Sequence, residues 1–237
     1  MAKVLMVLTG ADSLTLADGT THPTGYWAEE VVASHRVLRA AGHEVDLATP
    51  GGVRPTVDEI SLDERGGVEK SAGEEFRAYL DSLADQLGKP LTLADVRADD
   101  YDAVYIPGGH GPMEDLARDR DLGRLVADTD RGGKIVAALC HGPAALLSAT
   151  GEDGAFTFAG RKLTVFTDEE ERQGGLKEAA PYFTESRLRD LGAIVEGGPA
   201  WASKVVVDGN LITGQNPQSS VDTAQQVVDA LKARSAA

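Results

Sequence analysis

Ile135-Val136-Ala137-Ala138-Leu139-Cys140-His141-Gly142-Pro143-Ala144 is the stretch that decides the fold of this chain. Five apolar residues, β-branched at the start, make a buried strand. Small residues and a proline follow at once. Proline fits the first turn of a helix, where its missing N–H costs nothing. A helix therefore starts within about two residues of the strand's end. So tight a strand-to-helix turn exposes one side chain at the carboxyl edge of a sheet, as a nucleophile elbow does. The side chain is that of Cys140, the only cysteine in the chain. Free N–H donors and the positive end of a helix dipole predict a thiol pKa below about 8.5 there. His141 is next in sequence. Consecutive side chains usually diverge, so adjacency alone makes it either a partner of the thiol or a helix-cap histidine.

The same strand-then-helix pattern recurs on both sides. Val4 to Leu8, Val45 to Ala48 and Ala103 to Ile106 read as further buried strands, ended by Gly10, preceded by Gly42 and followed by Pro107-Gly108-Gly109 respectively. Leu163 to Phe166 reads as another strand. Val205 to Val207 and Leu211 to Thr213, joined through Asp208-Gly209-Asn210, read as a hairpin. Helical spacing runs from about Tyr26 to Ala41 and from about Ser219 to Ala233. Unbroken apolar strands alternating with helices predict an α/β sandwich with a mostly parallel central sheet. Residues from about 52 to 100 break this rhythm and read as an insertion on a single domain spanning 1–237. Positions 58–100 alone hold 12 acidic and 5 basic residues. Ser71 with Glu74 has the spacing of a capping box, and Phe76, Leu80, Leu83 and Leu87 lie on one helical face. The insertion is either a solvated surface helix or a cap over an active site.

Composition narrows the function. Of 237 residues, 42% are apolar, enough for a sizeable core. The net charge is −15, which repels phosphate backbones and anionic lipid, so neither nucleic acid nor membrane is expected as a partner. A single cysteine forms no internal disulfide. The apolar run near the N-terminus is too short for a secretory leader, and no stretch approaches a membrane span. The expectation is a soluble cytoplasmic protein.

Proton chemistry at Cys140 needs a carboxylate. At about 100° per residue, with Trp27 at zero, Val31 falls at about 40°, Leu38 at about 20° and Glu30 at about 300°, all within one apolar arc. Glu29 falls at about 200°, outside it, and reads as a solvated N-terminal charge. A carboxylate aimed at the core is costly unless it has a task, and desolvation raises its pKa towards values useful for proton transfer. Thr167-Asp168-Glu169-Glu170-Glu171 is a second acidic cluster. Thr167 and Glu170 have capping-box spacing, and spacing alone does not choose a catalytic member. Gly108-Gly109-His110-Gly111 follows a strand and has the backbone freedom to supply oxyanion N–H groups. It lacks the Lys-Ser/Thr of a phosphate loop and the spacing of a dinucleotide fingerprint. The histidines, at 22, 35, 43, 110 and 141, have no metal-ligand spacing, so no metal is expected.

Gly25-Tyr26-Trp27-Ala28-Glu29-Glu30, Asp102 to Gly111, Ala138 to Pro143, Leu163 to Asp168 and Asp208 to Pro217 together resemble, in order, the ThiJ/PfpI superfamily. Within it they are similar to the glyoxalase III branch related to a bacterial and fungal heat-shock chaperone. The resemblance implies a flavodoxin-like sandwich, a homodimer and a cofactor-free conversion of methylglyoxal to lactate. It places Cys140 as nucleophile with His141 and puts Glu30 beside the thiol. It makes Glu171, three residues past Phe166-Thr167-Asp168, the third member of the triad. Gly109 and the His141 backbone match its oxyanion donors, with His110 at the substrate. The implied partner is a small aldehyde.

Other classes compete. A glutamine amidotransferase needs a histidine followed two residues later by an acid, and none of the five has one. A cysteine peptidase would use the same Cys-His-acid chemistry. A holdase or redox sensor would rely on an exposed apolar patch or an oxidisable Cys140.

Overall fold

The computed structural model describes residues 1–151 and 153–235. β1 (Lys3–Val7) is followed by a small hairpin of β2 (Ser13–Thr15) and β3 (Thr21–Pro23), then α1 (Ala28–Ala40) and β4 (Glu44–Thr49). Next come α2 (Lys70–Ser82), α3 (Ala84–Gly88) and β5 (Leu91–Thr92). β6 (Ala103–Ile106) leads to the single turn α4 (Gly111–Glu114) and to α5 (Arg120–Arg131). β7 (Ile135–Leu139) runs into a 3-10 helix at Gly142–Ser148. β8 (Lys162–Leu163), α6 (Asp168–Gly174), α7 (Thr184–Asp190), β9 (Ile194–Val195), β10 (Val205–Asp208), β11 (Leu211–Gly214) and α8 (Ser220–Ser235) complete the chain.

Seven strands form the central sheet in the order β10-β11-β7-β6-β1-β4-β5. All neighbours are parallel except the β10–β11 hairpin. Side chains alternate across a strand, and the core divides accordingly. Val4, Met6, Tyr105, Ala137 and Leu139 pack under Val31 and Leu38 of α1 and Ala224 and Val228 of α8. Leu5, Val7, Val104, Ile106 and Val136 pack on the other face with Leu122 and Val126 of α5 and with Phe158. This is the expected α/β sandwich, buried on both faces as parallel sheets are.

One strand is added and two local expectations change. The chain between β4 and β6 returns to the central sheet, since β5 pairs with β4 through Ala48 and Thr49. The helix expected from Ser71 starts a residue earlier, after Glu69, and its first turn has no side-chain cap, so the Ser71/Glu74 capping box does not form. Leu163 to Phe166 is not one strand. Only Lys162–Leu163 pairs, with β9. Beyond it the Thr164 N–H donates to Thr213 Oγ1 at 2.8 Å and the Phe166 N–H to the Cys140 carbonyl at 2.9 Å. Those bonds replace a ladder and carry Phe166 to the elbow. No helix among the described residues is long and apolar enough to cross a membrane.

Candidate active site

The elbow forms as the sequence implies, with a conformation that few residues tolerate. Cys140 has φ 56°, the left-handed region, which costs a non-glycine residue of order 1–3 kcal/mol. Its neighbours hold it there: the Cys140 N–H donates to Gly214 O at 3.0 Å, and its carbonyl accepts from Phe166. The turn also requires close backbone approach. A Cβ at Gly142 would lie 2.2 Å from the Ile106 carbonyl, and one at Gly108 would lie 2.7 Å from the His141 nitrogen.

This sharp turn brings the two consecutive side chains to one side. Cys140 Sγ lies 3.5 Å from His141 Nδ1. His141 Nε2 lies 2.5 Å from Glu171 Oε2. The other oxygen, Oε1, meets His110 Nε2 at 3.1 Å and also accepts the Leu176 N–H at 2.6 Å. The two imidazoles tilt against each other with centroids 4.2 Å apart. One carboxylate thus holds two histidines by their Nε2–H groups, which leaves Nδ1 of His141 as an acceptor beside the thiol. Gly175 makes room, because a Cβ there would sit 2.0 Å from Glu171 Oε1.

Glu30 approaches the thiol from α1. It is fully buried. Its Oε2 accepts the Gly108 N–H at 2.5 Å, and its buried Oε1 has no hydrogen-bond partner among the described residues. Burial raises its pKa to about 8. Glu29 is half-buried at the mouth of the same cavity and also raised by burial, so the expectation of a solvated charge is corrected. The helix there begins at Ala28 behind Trp27, and this first turn faces the cavity rather than open water.

The electrostatics of the thiol also differ from the sequence expectation. Burial, and after it the Glu30 carboxyl, push the Cys140 thiol up rather than down. The helix that follows is a 3-10 helix of seven residues, and its dipole does not offset desolvation. Burial, with the neighbouring His110 ring, lowers the His141 pKa. Burial alone would raise Glu171, but attraction to a charged His141 and the hydrogen bonds with His110 and His141 hold it well below the usual carboxylate range. Burial thus favours the protonated thiol and the protonated Glu30, and at His141 it favours the neutral imidazole against the pull of the Glu171 carboxylate.

Glu170 turns the other way. Thr167 and Glu170 form the expected capping box. The remaining Glu170 oxygen accepts the Trp201 N–H and Asn216 Nδ2, each at 2.8 Å. Asp168 is held by the Ser186 hydroxyl at 2.5 Å. These two acids support structure, and Glu171 is the member of the cluster that reaches the histidines.

The thiol opens on a cavity of about 490 Å³ lined by Trp27, His110, His141, Phe166 and Trp201, among others. Ile60 and Arg65 to Val68, from the segment between β4 and β6, line one side. The Gly109 N–H at its edge has no protein acceptor among the described residues. The aromatic lining carried no pattern in the sequence, although Trp27 stands three residues from Glu30. Spacing also missed one donor set. Ligand atoms of His110, His141 and Glu171 lie within 4.8 Å of one another, the only such group among the described residues. Both Nε2 atoms lie within hydrogen-bond distance of the carboxylate, so a metal would have to displace two such contacts to enter.

A parallel α/β sandwich with a Cys-His-Glu relay at a strand–helix elbow defines a cysteine-centred protein of the flavodoxin-like class. The profile of the DJ-1/PfpI family matches residues 24–230, and the chain belongs to that family. It is 32% identical over 97% of its length to the glutathione-independent glyoxalase HSP31 of Saccharomyces cerevisiae, covering 98% of that protein. The crystal structure of glyoxalase III from Candida albicans is 29% identical, with 97% of each chain covered and a TM-score of 0.82. The Rapid Encystment Protein 24 KDa of Francisella tularensis superposes with a TM-score of 0.87 at 29% identity, over 98% of this chain and 99% of that one.

Proposed function

We propose that this protein is a glutathione-independent glyoxalase that converts 2-oxoaldehydes to 2-hydroxy acids through a Cys140 hemithioacetal. The observation that carries the reading is the Cys140 thiol beside the His141–Glu171 pair at one end of a cavity, with the buried, raised Glu30 carboxyl held on the Gly108 N–H. The full-length likeness to glyoxalases supports it. Environments that push titratable groups apart mark acid and base roles.

His141 Nδ1 takes the thiol proton, and Glu171 steadies the resulting imidazolium through Nε2–H. Sulfur bonds to the aldehyde carbon C1, and its carbonyl electrons move to oxygen beside the Gly109 and His141 N–H groups. The imidazolium returns its proton to that oxygen, giving the hemithioacetal. A base, His141 or the ionised form of Glu30, then removes the proton on C1. The electron pair forms the C1–C2 double bond, and the C2 oxygen gains a proton, giving an enediol. Glu30, with a pKa near neutral, is suited to pass protons in both directions. Protonation of C2 and loss of the C1 hydroxyl proton leave a thioester. Water adds to its carbonyl, the C1–S bond breaks, and the sulfur recovers a proton. C1 is oxidised and C2 reduced within one molecule, so the balance needs only water and no redox cofactor or glutathione.

The same proposal places the protein in the cytoplasm as a homodimer acting on a small-molecule aldehyde. Purified, metal-stripped protein should form lactate from methylglyoxal without glutathione, and Cys140→Ser should not. Inertness towards methylglyoxal and glyoxal, with Cys140-independent suppression of client aggregation, would replace this reading with a holdase. Cys140-dependent cleavage of an amide would keep the nucleophile and change the reaction.

A further inference from the structure

We propose that the cavity is built for 2-oxoaldehydes that carry an aromatic or bulky apolar group on the second carbon, and that Trp201 sets this preference. The proposal rests on the glyoxalase reading and names the substrate class of that same site.

Size is the first observation. A cavity of about 490 Å³ lies in the range that encloses ligands of drug size, roughly 300–1,000 Å³. Methylglyoxal, with five heavy atoms, occupies a small part of it. Closure around so small a substrate would leave most of the volume to water, which competes with enediol formation.

The wall beyond the nucleophile is the second observation. His141, the partner of Cys140, stacks at a tilt on Phe166 with centroids 4.5 Å apart. Phe166 meets Trp201 edge-on at 5.6 Å. The aromatic surface thus runs unbroken from the reacting sulfur's neighbour to the cavity mouth, where a group on C2 would lie. Aromatic rings favour offset and edge-on partners over this range.

The way Trp201 is held is the third. Trp201 is 40% exposed, so it contributes little as core. Its backbone sits at φ 64°, a left-handed conformation that tryptophan rarely adopts. Its N–H donates to Glu170 Oε1 at 2.8 Å and its indole N–H to Gln173 Oε1 at 2.7 Å. One ring edge lies against Gly174, where a Cβ would come within 2.8 Å. Several contacts fix a large apolar side chain at the rim in a strained backbone, the pattern expected where a ring has a binding task.

Charge at the mouth selects a neutral group. Glu29 and Asp58 line the cavity, while the Arg65 guanidinium there is bound to Asp63 at 2.6 Å. An anionic tail would meet the Glu29 carboxyl, and among the described lining residues the already paired Arg65 is the only lysine or arginine to receive it.

The test compares phenylglyoxal with methylglyoxal in the wild type, Trp201→Phe and Trp201→Gly. Glycine suits the left-handed backbone, so that variant removes the ring without straining the loop. The wild type should favour phenylglyoxal in kcat/KM by tenfold or more. Trp201→Gly should lower that ratio at least tenfold through KM, and Trp201→Phe should retain most of it. A wild-type ratio at or below one, or a ratio unmoved by Trp201→Gly, overturns the proposal, as does a preference for a polyhydroxylated 2-oxoaldehyde of similar length. Calorimetric binding of mandelate against lactate separates this from failure of the glyoxalase reading. Were neither aldehyde turned over, tighter mandelate binding that is lost in Trp201→Gly would still establish the aromatic subsite, and equal binding would dismiss it.

Discussion

Glu171 Oε2 lies 2.5 Å from His141 Nε2, and both side chains are buried. The carboxylate fixes which imidazole nitrogen carries the proton and leaves Nδ1 free to receive one from the thiol. Glu171→Gln keeps the shape and removes the charge that stabilises the imidazolium. Its kcat should fall by about two to four orders of magnitude, as for an acid behind a catalytic histidine. The neighbouring Glu170→Gln should act on stability instead, by about 1–2 kcal/mol for the lost cap and its charged hydrogen bonds. Steady-state kinetics and denaturant melts of the two variants check this. A large kcat loss at Glu170 with none at Glu171 would reverse the assignment.

Cys140→Ser should abolish aldehyde turnover while the fold survives, because the hydroxyl fits the elbow but is a far weaker nucleophile at neutral pH. Circular dichroism and a thermal melt alongside the assay distinguish chemistry from collapse. Retention of more than a small fraction of activity would refute covalent catalysis at this residue.

Glu30 and Glu29 are expected to differ in kind. Glu30→Gln removes the proton carrier beside the thiol and should cut kcat by about 100-fold or more. Glu29, half-buried at the cavity wall, should change KM by a few-fold with little effect on kcat. Equal effects on kcat would invalidate the geometry.

The raised Glu30 also predicts a pH dependence of stability. Its carboxyl keeps a proton up to about pH 8 in the folded state, whereas in the unfolded chain it releases it near pH 4.3. The folded state then binds more protons between these values, so this contribution is full below the lower pKa. It is lost progressively as pH rises through the window. Glu30→Gln has no such proton to lose. Its melting temperature relative to wild type should rise steadily from pH 5 to pH 8. Parallel curves would show that Glu30 ionises normally.

Much of the fold could be read from local pattern because the deciding features are local. The apolar runs at Val4, Ala103 and Ile135, each ended by glycine or proline or by the elbow, mark parallel strands without knowledge of their partners. Strand β5 escaped because two residues, Leu91 and Thr92, carry no periodicity, and only the exposed edge of β4 makes them a strand. Leu163 to Phe166 has strand-forming side chains, yet the available hydrogen-bond partners there are Thr213 and the Cys140 carbonyl.

The sequence by itself determined the strand–elbow–helix around Cys140, the core-facing angle of Glu30 and the capping box of Thr167 with Glu170. Each depends on residues within one or two turns of chain. Only the tertiary structure decided between Glu170 and Glu171, which lie about 100° apart on one helix and face different neighbours. It alone joined Glu171 to His141 across 30 residues and to His110 across 61, and brought Glu30 to Gly108 across 78. It also turned the expected thiol shift upward. A pKa is set by the water excluded and the charges gathered around a group, and at Cys140 that surrounding comes from α1, from the loops after β6 and β7 and from α6, none of which local spacing can bring together.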